Sequence, residues 1–163
     1  MIPKIDTILF ATDLSDTSRY AFGYAVDLAE KYDAKINIIH VMENLNHSME
    51  IQVSEMVGVD RWNKMKAETT SELKKKIRDR VHSFCASATP DEASCQLLVT
   101  DVHIKKGLAW EEILEAADAL DAGMIVMGTN GYSPIKEVLM GGTARKVVKR
   151  SKVPTLTVRL PEE

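Results

Sequence analysis

Short apolar runs and longer apolar stripes alternate along this chain. Ile5 to Ala11 (IDTILFA) is a β-rich apolar run and predicts a buried strand. It ends in Thr12-Asp13-Leu14-Ser15-Asp16, whose side-chain oxygens suit the N-terminus of a helix. A helix is expected over about Asp16 to Tyr32, where Ala21, Ala25, Leu28, Ala29 and Tyr32 recur at spacings of three and four. Lys35 to Met42 (KINIIHVM) reads as a second buried strand. A strand, a crossover helix and a strand make a βαβ unit with parallel strands.

Asn44 to Val59 is polar, with Met49, Ile51, Val53, Met56 and Val57 scattered through it, and reads as a mobile loop leading into a helix. From about Asp60 to Ala86 one stripe (Met65, Thr69, Leu73, Ile77, Val81, Phe84) predicts one long helix. Ser87 to Ala93, with Pro90, is a loop, and a third strand is expected over Cys95 to Lys106, stopped by Gly107. A helix follows over Ala109 to Leu120, with Ile113, Leu114, Ala117 and Leu120 inward. Met124 to Met127 (MIVM) is apolar throughout, as a central parallel strand should be. A glycine-rich loop runs on to Gly142, then a helix over Thr143 to Ser151 with Val147 and Val148 inward, then a last strand over Thr155 to Leu160. Strands alternate with helices throughout. That pattern predicts an α/β sandwich of three layers, a parallel sheet with helices on both faces, in one domain over residues 1–163.

Composition narrows the function. The chain is 163 residues long, 45% hydrophobic and 28% charged, which is ordinary for a soluble domain. No apolar run approaches the roughly 18 residues that span a bilayer, and no basic-then-apolar leader opens the chain, so neither a membrane nor export is expected and the cytoplasm is. A net charge of −3 argues against a general nucleic-acid binder. Lys74, Lys75, Lys76, Arg78 and Arg80 read as the solvated face of the long helix. Cys85 and Cys95 could make a single bridge, but two free thiols in a reducing cytosol are expected. The four histidines form no His-x3-His pair and the cysteines no Cys-x2-Cys pair, so no zinc site is expected.

In open α/β sheets ligands bind beyond the carboxyl ends of the strands, where strand order reverses. The rule nominates Ala11 to Ser15, Val41-Met42, and Gly128 to Thr143. Of the chain's eight glycines, Gly128, Gly131, Gly141 and Gly142 lie in the last stretch, which runs into a helix N-terminus suited to phosphate. No P-loop motif, no G-x-G-x-x-G after the first strand and no G-x-S-x-G elbow occurs. Asp13 is the acid at a strand end. It either caps the helix or holds a ribose hydroxyl or a phosphate-borne metal. His40 and His103 sit among apolar neighbours and read as packed rather than catalytic.

Met127-Gly128-Thr129-Asn130-Gly131, nine residues and then Gly141 resemble the G-x2-G-x9-G-[S/T] motif of the universal stress protein family. ILFATDLSDTSRYAFGYAVDLA, KINIIHVME, GLAWEEILEAADALDAGMIVMGTNG and ARKVVKRSKVPTLTVR resemble its other segments in order. The resemblance implies a five-stranded Rossmann-like sheet of order 3-2-1-4-5 and a homodimer through the last strand. That strand, Thr155 to Leu160, also reads as an unpaired edge. The family holds members that bind ATP and members that do not. By position, Ala11, Val41 and Met127 would border adenine, and Asp13 would face the ribose or a metal. Gly128, Gly131, Gly141, Gly142 and Thr143 would meet the phosphates. One position departs: Gly142 stands where the motif has Ser or Thr, with Thr143 next. The expectation is a cytoplasmic homodimer that binds ATP as a regulatory or sensing ligand, any Mg or Mn arriving with the phosphates. The alternative is a dimeric interaction protein of the same family that binds no nucleotide. No general base or nucleophile stands out near the phosphates, so no catalytic residue is expected.

Overall fold

The apolar runs become the strands of one sheet. The computed structural model describes residues 1–43, 47–129 and 140–161. Its strands are β1 (Thr7–Ala11), β2 (Lys35–Met42), β3 (Val99–Lys106), β4 (Met124–Gly128) and β5 (Thr155–Val158). All pair in parallel, in the order β3-β2-β1-β4-β5. The parallel class and the order 3-2-1-4-5 are therefore as expected. β1 lies at the centre, with Phe10 opposite Ile38 on one side and Val126 on the other.

Alternate residues of β1, β2 and β4 feed two cores. Ile8, Phe10, Ile36, Ile38, Val102 and Val126 face α1 (Asp16–Tyr32) and α4 (Thr70–Ala88). Leu9, Ala11, Ile39, Ile125 and Met127 face α6 (Ala109–Ala119) and α7 (Gly142–Arg150). Each fully buried Ile or Leu contributes about 1.5–3 kcal/mol. Phe10, Phe22 and Phe84 stack through the first core with ring centroids 5.2 and 5.0 Å apart. α1 starts as predicted: Ser15 is the N-cap and its side chain accepts from Ser18 N–H. It ends at Asp33, left-handed at φ 53°.

Several elements differ from expectation. Most of the expected mobile loop is α2 (His47–Val57), which buries no residue. The long helix is two, α3 (Val59–Ala67) and α4. They part at a capping box in which Thr69 Oγ1 accepts from Glu72 N–H and Glu72 Oε2 from Thr69 N–H. Cys95 is not in β3 but in a short helix, α5 (Glu92–Leu97), capped by Asp91. Tyr32 and Val148 point outward instead of into the core. β5 stops at Val158, two residues short of the predicted strand. The basic residues of α4 lie on its solvated side, as expected, and three of them are paired there: Lys75 with Asp79, Lys76 with Glu68 and Arg78 with Asp101. No helix among the described residues is long and apolar enough to cross a membrane.

The largest correction concerns the cysteines. Cys85 and Cys95 are bridged, with Cα atoms 5.7 Å apart, and are not free thiols. The expectation rested on compartment; the helix α5 turns Cys95 back onto the last turn of α4. Both sulfur-bearing residues are buried, and Gln96 Nε2 and His82 Nδ1, 2.7 Å apart, add a second link between the two helices.

The bridge closes a loop over a sequence separation of 10, so opening it should cost about 2–3 kcal/mol of stability. Urea denaturation of wild type and of the Cys85→Ala/Cys95→Ala double variant measures this. Unfolded wild type kept from reductant should titrate no thiol, and two thiols per chain there would contradict the bridge.

Candidate functional site

At its carboxyl end β1 runs into a tightly hydrogen-bonded turn. Thr12 N–H still donates to Ile39 O, extending the sheet by one residue. Thr12 Oγ1 then accepts from Leu14 N–H at 3.0 Å and from Ser18 Oγ at 2.6 Å. Asp13 Oδ1 accepts from Ser15 N–H at 3.0 Å, an Asx turn feeding the helix cap. Local capping is thus one task of Asp13. Its side chain is also half-buried at the wall of a cavity.

That cavity, about 940 Å³, lies beyond the carboxyl ends of β2, β1 and β4, at the reversal of strand order. Its volume is in the range of small-molecule sites. The structure brings together every predicted residue it describes. Ala11 and Asp13 come from β1 and its turn, Val41 from β2, Met127 and Gly128 from β4, and Gly141, Gly142 and Thr143 from the start of α7. Gly131 lies outside the described residues, as does all of 130–139. Sequence reasoning missed the opposite wall, where Val53, Met56, Trp62 and Met65 come from α2 and α3. Met49, Val53, Met56 and Val57 carry a helical spacing that would have revealed α2. The rim adds Lys64, Lys106 and the Lys76–Glu68 pair, whose charged atoms are 3.1 Å apart.

Two glycines that line the cavity, Gly128 and Gly142, have different surroundings. A Cβ on Gly128 would come within 2.8 Å of Thr17 Cγ2, so this residue lets β4 pass close to the first turn of α1. Among the described residues, a Cβ on Gly142 would meet nothing within 4 Å, and no side chain caps α7. Its first N–H groups therefore face the cavity side without an intrahelical partner. Gly141 N–H donates to Thr129 O at 2.6 Å, closing the loop onto the end of β4. Thr129 Oγ1 is buried there with no hydrogen-bond partner among the described residues.

His40 is packed, as expected, and also grips the turn. Its Nδ1 lies 2.8 Å from Thr12 O, so Nδ1 carries the proton and donates it to that carbonyl. Burial pushes His40 below the usual imidazole value, against weaker upward pulls from the Thr12 carbonyl, Asp13 and Glu68. His103 packs against the neighbouring strand, its Nε2 3.0 Å from Asn37 Oδ1. Among the described residues no group of three His, Cys, Asp or Glu side chains is placed to hold a metal ion.

Comparison with known proteins follows this geometry. The model of the universal stress protein family matches residues 4–159. Universal stress protein MJ0577 of Methanocaldococcus jannaschii is 27% identical over 152 residues, 93% of each chain. A solved structure of MJ0577 superposes with a TM-score of 0.70 at 24% identity, covering 99% of this chain and 100% of that one. A universal stress protein solved in complex with cAMP superposes at 0.60 and 23% identity, covering 98% and 100%. One from Archaeoglobus fulgidus, in complex with dAMP, superposes at 0.54 and 15% identity, covering 97% and 99%.

Because folding holds His40 neutral while the unfolded chain protonates it near the usual value of about 6.5, acid favours the unfolded state. Stability conferred by a neutral His40 is present above about pH 6.5 and falls as pH drops through that value toward the lower folded pKa. Thermal melts of wild type and His40→Gln between about pH 5 and 8 test this, and the variant should show the shallower loss. Parallel curves would rule His40 out as a source of acid sensitivity.

Proposed function

The chain belongs to the universal stress protein family, and we propose that it binds ATP as a regulatory or sensing ligand, as a cytoplasmic homodimer. One observation carries the reading: three strand ends and one helix N-terminus, nominated separately from the sequence, line a single cavity. The walls suit the parts of a nucleotide. Ala11, Val41 and Met127 offer apolar surface to adenine. Asp13 offers a carboxylate to the ribose hydroxyls or to a magnesium or manganese ion carried by the phosphates. Gly128, Gly131, Gly141, Gly142 and Thr143 belong to the stretch that would meet the phosphates, and the amides at the head of α7 supply donors and a favourable dipole. The open space at Gly142 fits a phosphate there. Two solved proteins of the same fold, in complex with cAMP and with dAMP, are adenine-nucleotide binders by those complexes.

The nucleotide is held rather than consumed in this reading. Phosphoryl transfer depends on positioned cations and an oriented nucleophile, and between Gly128 and Thr143 the sequence carries no charged side chain but Lys136 and Glu137. Dimerisation would use β5, which lies at the edge of the sheet. Its outer N–H and C=O groups are a template for a second copy, and two-fold pairing is the commonest closure. Burial of the Cys85–Cys95 bridge is compatible with a reducing compartment, since thiol exchange depends on access. A second reading, a dimer of this family that binds no nucleotide, is favoured by one residue: Gly142 lacks the hydroxyl that the motif supplies.

Calorimetry with ATP and magnesium should show binding, with Gly142→Ser equal to wild type or tighter. Thr143→Ala should bind about ten-fold more weakly, the loss of a hydroxyl bond to a charged group. Phosphate release should stay far below about one per second, the low end of ordinary enzymes. No heat at millimolar ATP would hand the case to the second reading.

Light scattering at micromolar concentration should give twice the chain mass. Replacing Thr157 by Pro removes a β5 N–H and adds a ring that the edge cannot pair around, so it should shift the protein toward monomer. A monomeric wild type would refute the dimer.

A further inference from the structure

The turn that presents Asp13 is held in a backbone conformation its own sequence disfavours. Leu14 has φ 67° and is buried at 6% exposed. A bulky residue in the left-handed region costs energy and persists only where its surroundings enforce it, and such outliers gather at functional sites. Here two side chains from distant elements do the enforcing. His40, on β2, donates Nδ1–H to Thr12 O at 2.8 Å. Arg80, on α4, donates Nη1–H to Leu14 O at 2.7 Å across 66 residues of sequence. The two gripped carbonyls flank Asp13 on either side.

Arg80 stands apart from its neighbours on α4. Lys75, Lys76 and Arg78 each meet a carboxylate, whereas Arg80 meets a backbone carbonyl of the site turn. A charged donor on a carbonyl makes one of the stronger hydrogen bonds available to a loop. Meanwhile Asp13 spends Oδ1 on Ser15 N–H, and its Oδ2 has no hydrogen-bond partner among the described residues. The second oxygen is the one left for a ligand in the cavity that Asp13 lines.

We propose that Arg80, with His40, is a positioning residue for the ligand site: the pair clamps the strained turn so that the Asp13 carboxylate faces the cavity. The role rests on the nucleotide reading and adds to it two residues that act through the turn, His40 at the cavity wall and Arg80 outside its lining. Arg80 acts through Asp13, so its effect on affinity should vanish once Asp13 is gone.

A double-mutant cycle on ATP binding tests this by calorimetry with magnesium. Arg80→Ala should weaken binding about ten-fold, and Arg80→Lys should recover part of the loss. Asp13→Ala should weaken binding too, and the Asp13→Ala/Arg80→Ala pair should bind no more weakly than Asp13→Ala alone. His40→Asn should behave as Arg80→Ala does. Should Arg80→Ala fail to fold, Arg80→Gln takes its place in the cycle. Hydrogen exchange of the ligand-free protein supplies a readout independent of affinity, with the amides of Leu14 and Ser15 exchanging faster in the Arg80 variant. Wild type that binds no ATP refutes the nucleotide reading and this role together. Wild type that binds, with Arg80→Ala binding equally well or with the two losses adding in full, overturns the clamp and leaves the nucleotide reading standing.

Discussion

β1 is hydrogen-bonded along both edges and covered on both faces, and the rest of the molecule is arranged by that constraint. Its residues alternate between two cores, Ile8 and Phe10 on one side, Leu9 and Ala11 on the other. With β2 on one flank and β4 on the other, the chain must leave β1 at a point where its two neighbours carry their own chains in opposite directions along the sheet. A crevice forms at such a point in a doubly wound sheet because the connections on either side part there. The same geometry directs the head of α7 toward that crevice. The site is thus a by-product of how a doubly wound sheet closes, and a few residues at strand ends set its chemistry.

The turn after β1 shows how closely stability and site are joined. Thr12, Ser15 and Ser18 satisfy one another's donors and acceptors while starting α1. Removing any of them would damage a helix cap worth about 1 kcal/mol and, with it, the direction of Asp13. α4 enters the same circuit. It buries Leu73, Ile77 and Val81 in the first core, reaches the turn through Arg80, and is stapled to α5 at its far end. One helix therefore ties the first core, the site turn and the disulfide together.

Legibility in the sequence followed burial. The strands and α1 were readable because burial on both faces, or on one strict stripe, leaves an unbroken pattern. α1 has the bounds the spacing predicts, from the Ser15 cap to Tyr32. α2 was not read, because its apolar residues, though helically spaced, bury nothing and are outnumbered by polar ones. The break between α3 and α4 was written in the sequence as Thr69-x-x-Glu72, a capping box hidden inside a continuous stripe. The disulfide could not be reached from composition, since it depends on α5 returning Cys95 to α4. The Arg80 contact is of the same kind: no local pattern announces a partner 66 residues away.

The glycine motif carries a last lesson about inference from such patterns. Gly128, a glycine of the signature, and Gly142, which stands at its Ser/Thr position, invite one explanation, close approach of a phosphate. Their surroundings differ. Gly128 is crowded by Thr17, so its lack of a side chain serves the packing of β4 against α1 whether or not a ligand is present. Gly142 is crowded by nothing among the described residues, so their packing gives no reason for glycine there and leaves room for a serine. A Gly128 substitution that abolished binding would say little about phosphate contact, because the strand end itself would shift. Position 142 is where ligand chemistry can be read without disturbing the fold: a hydroxyl can be added to an open helix N-terminus while the core below stays as it is.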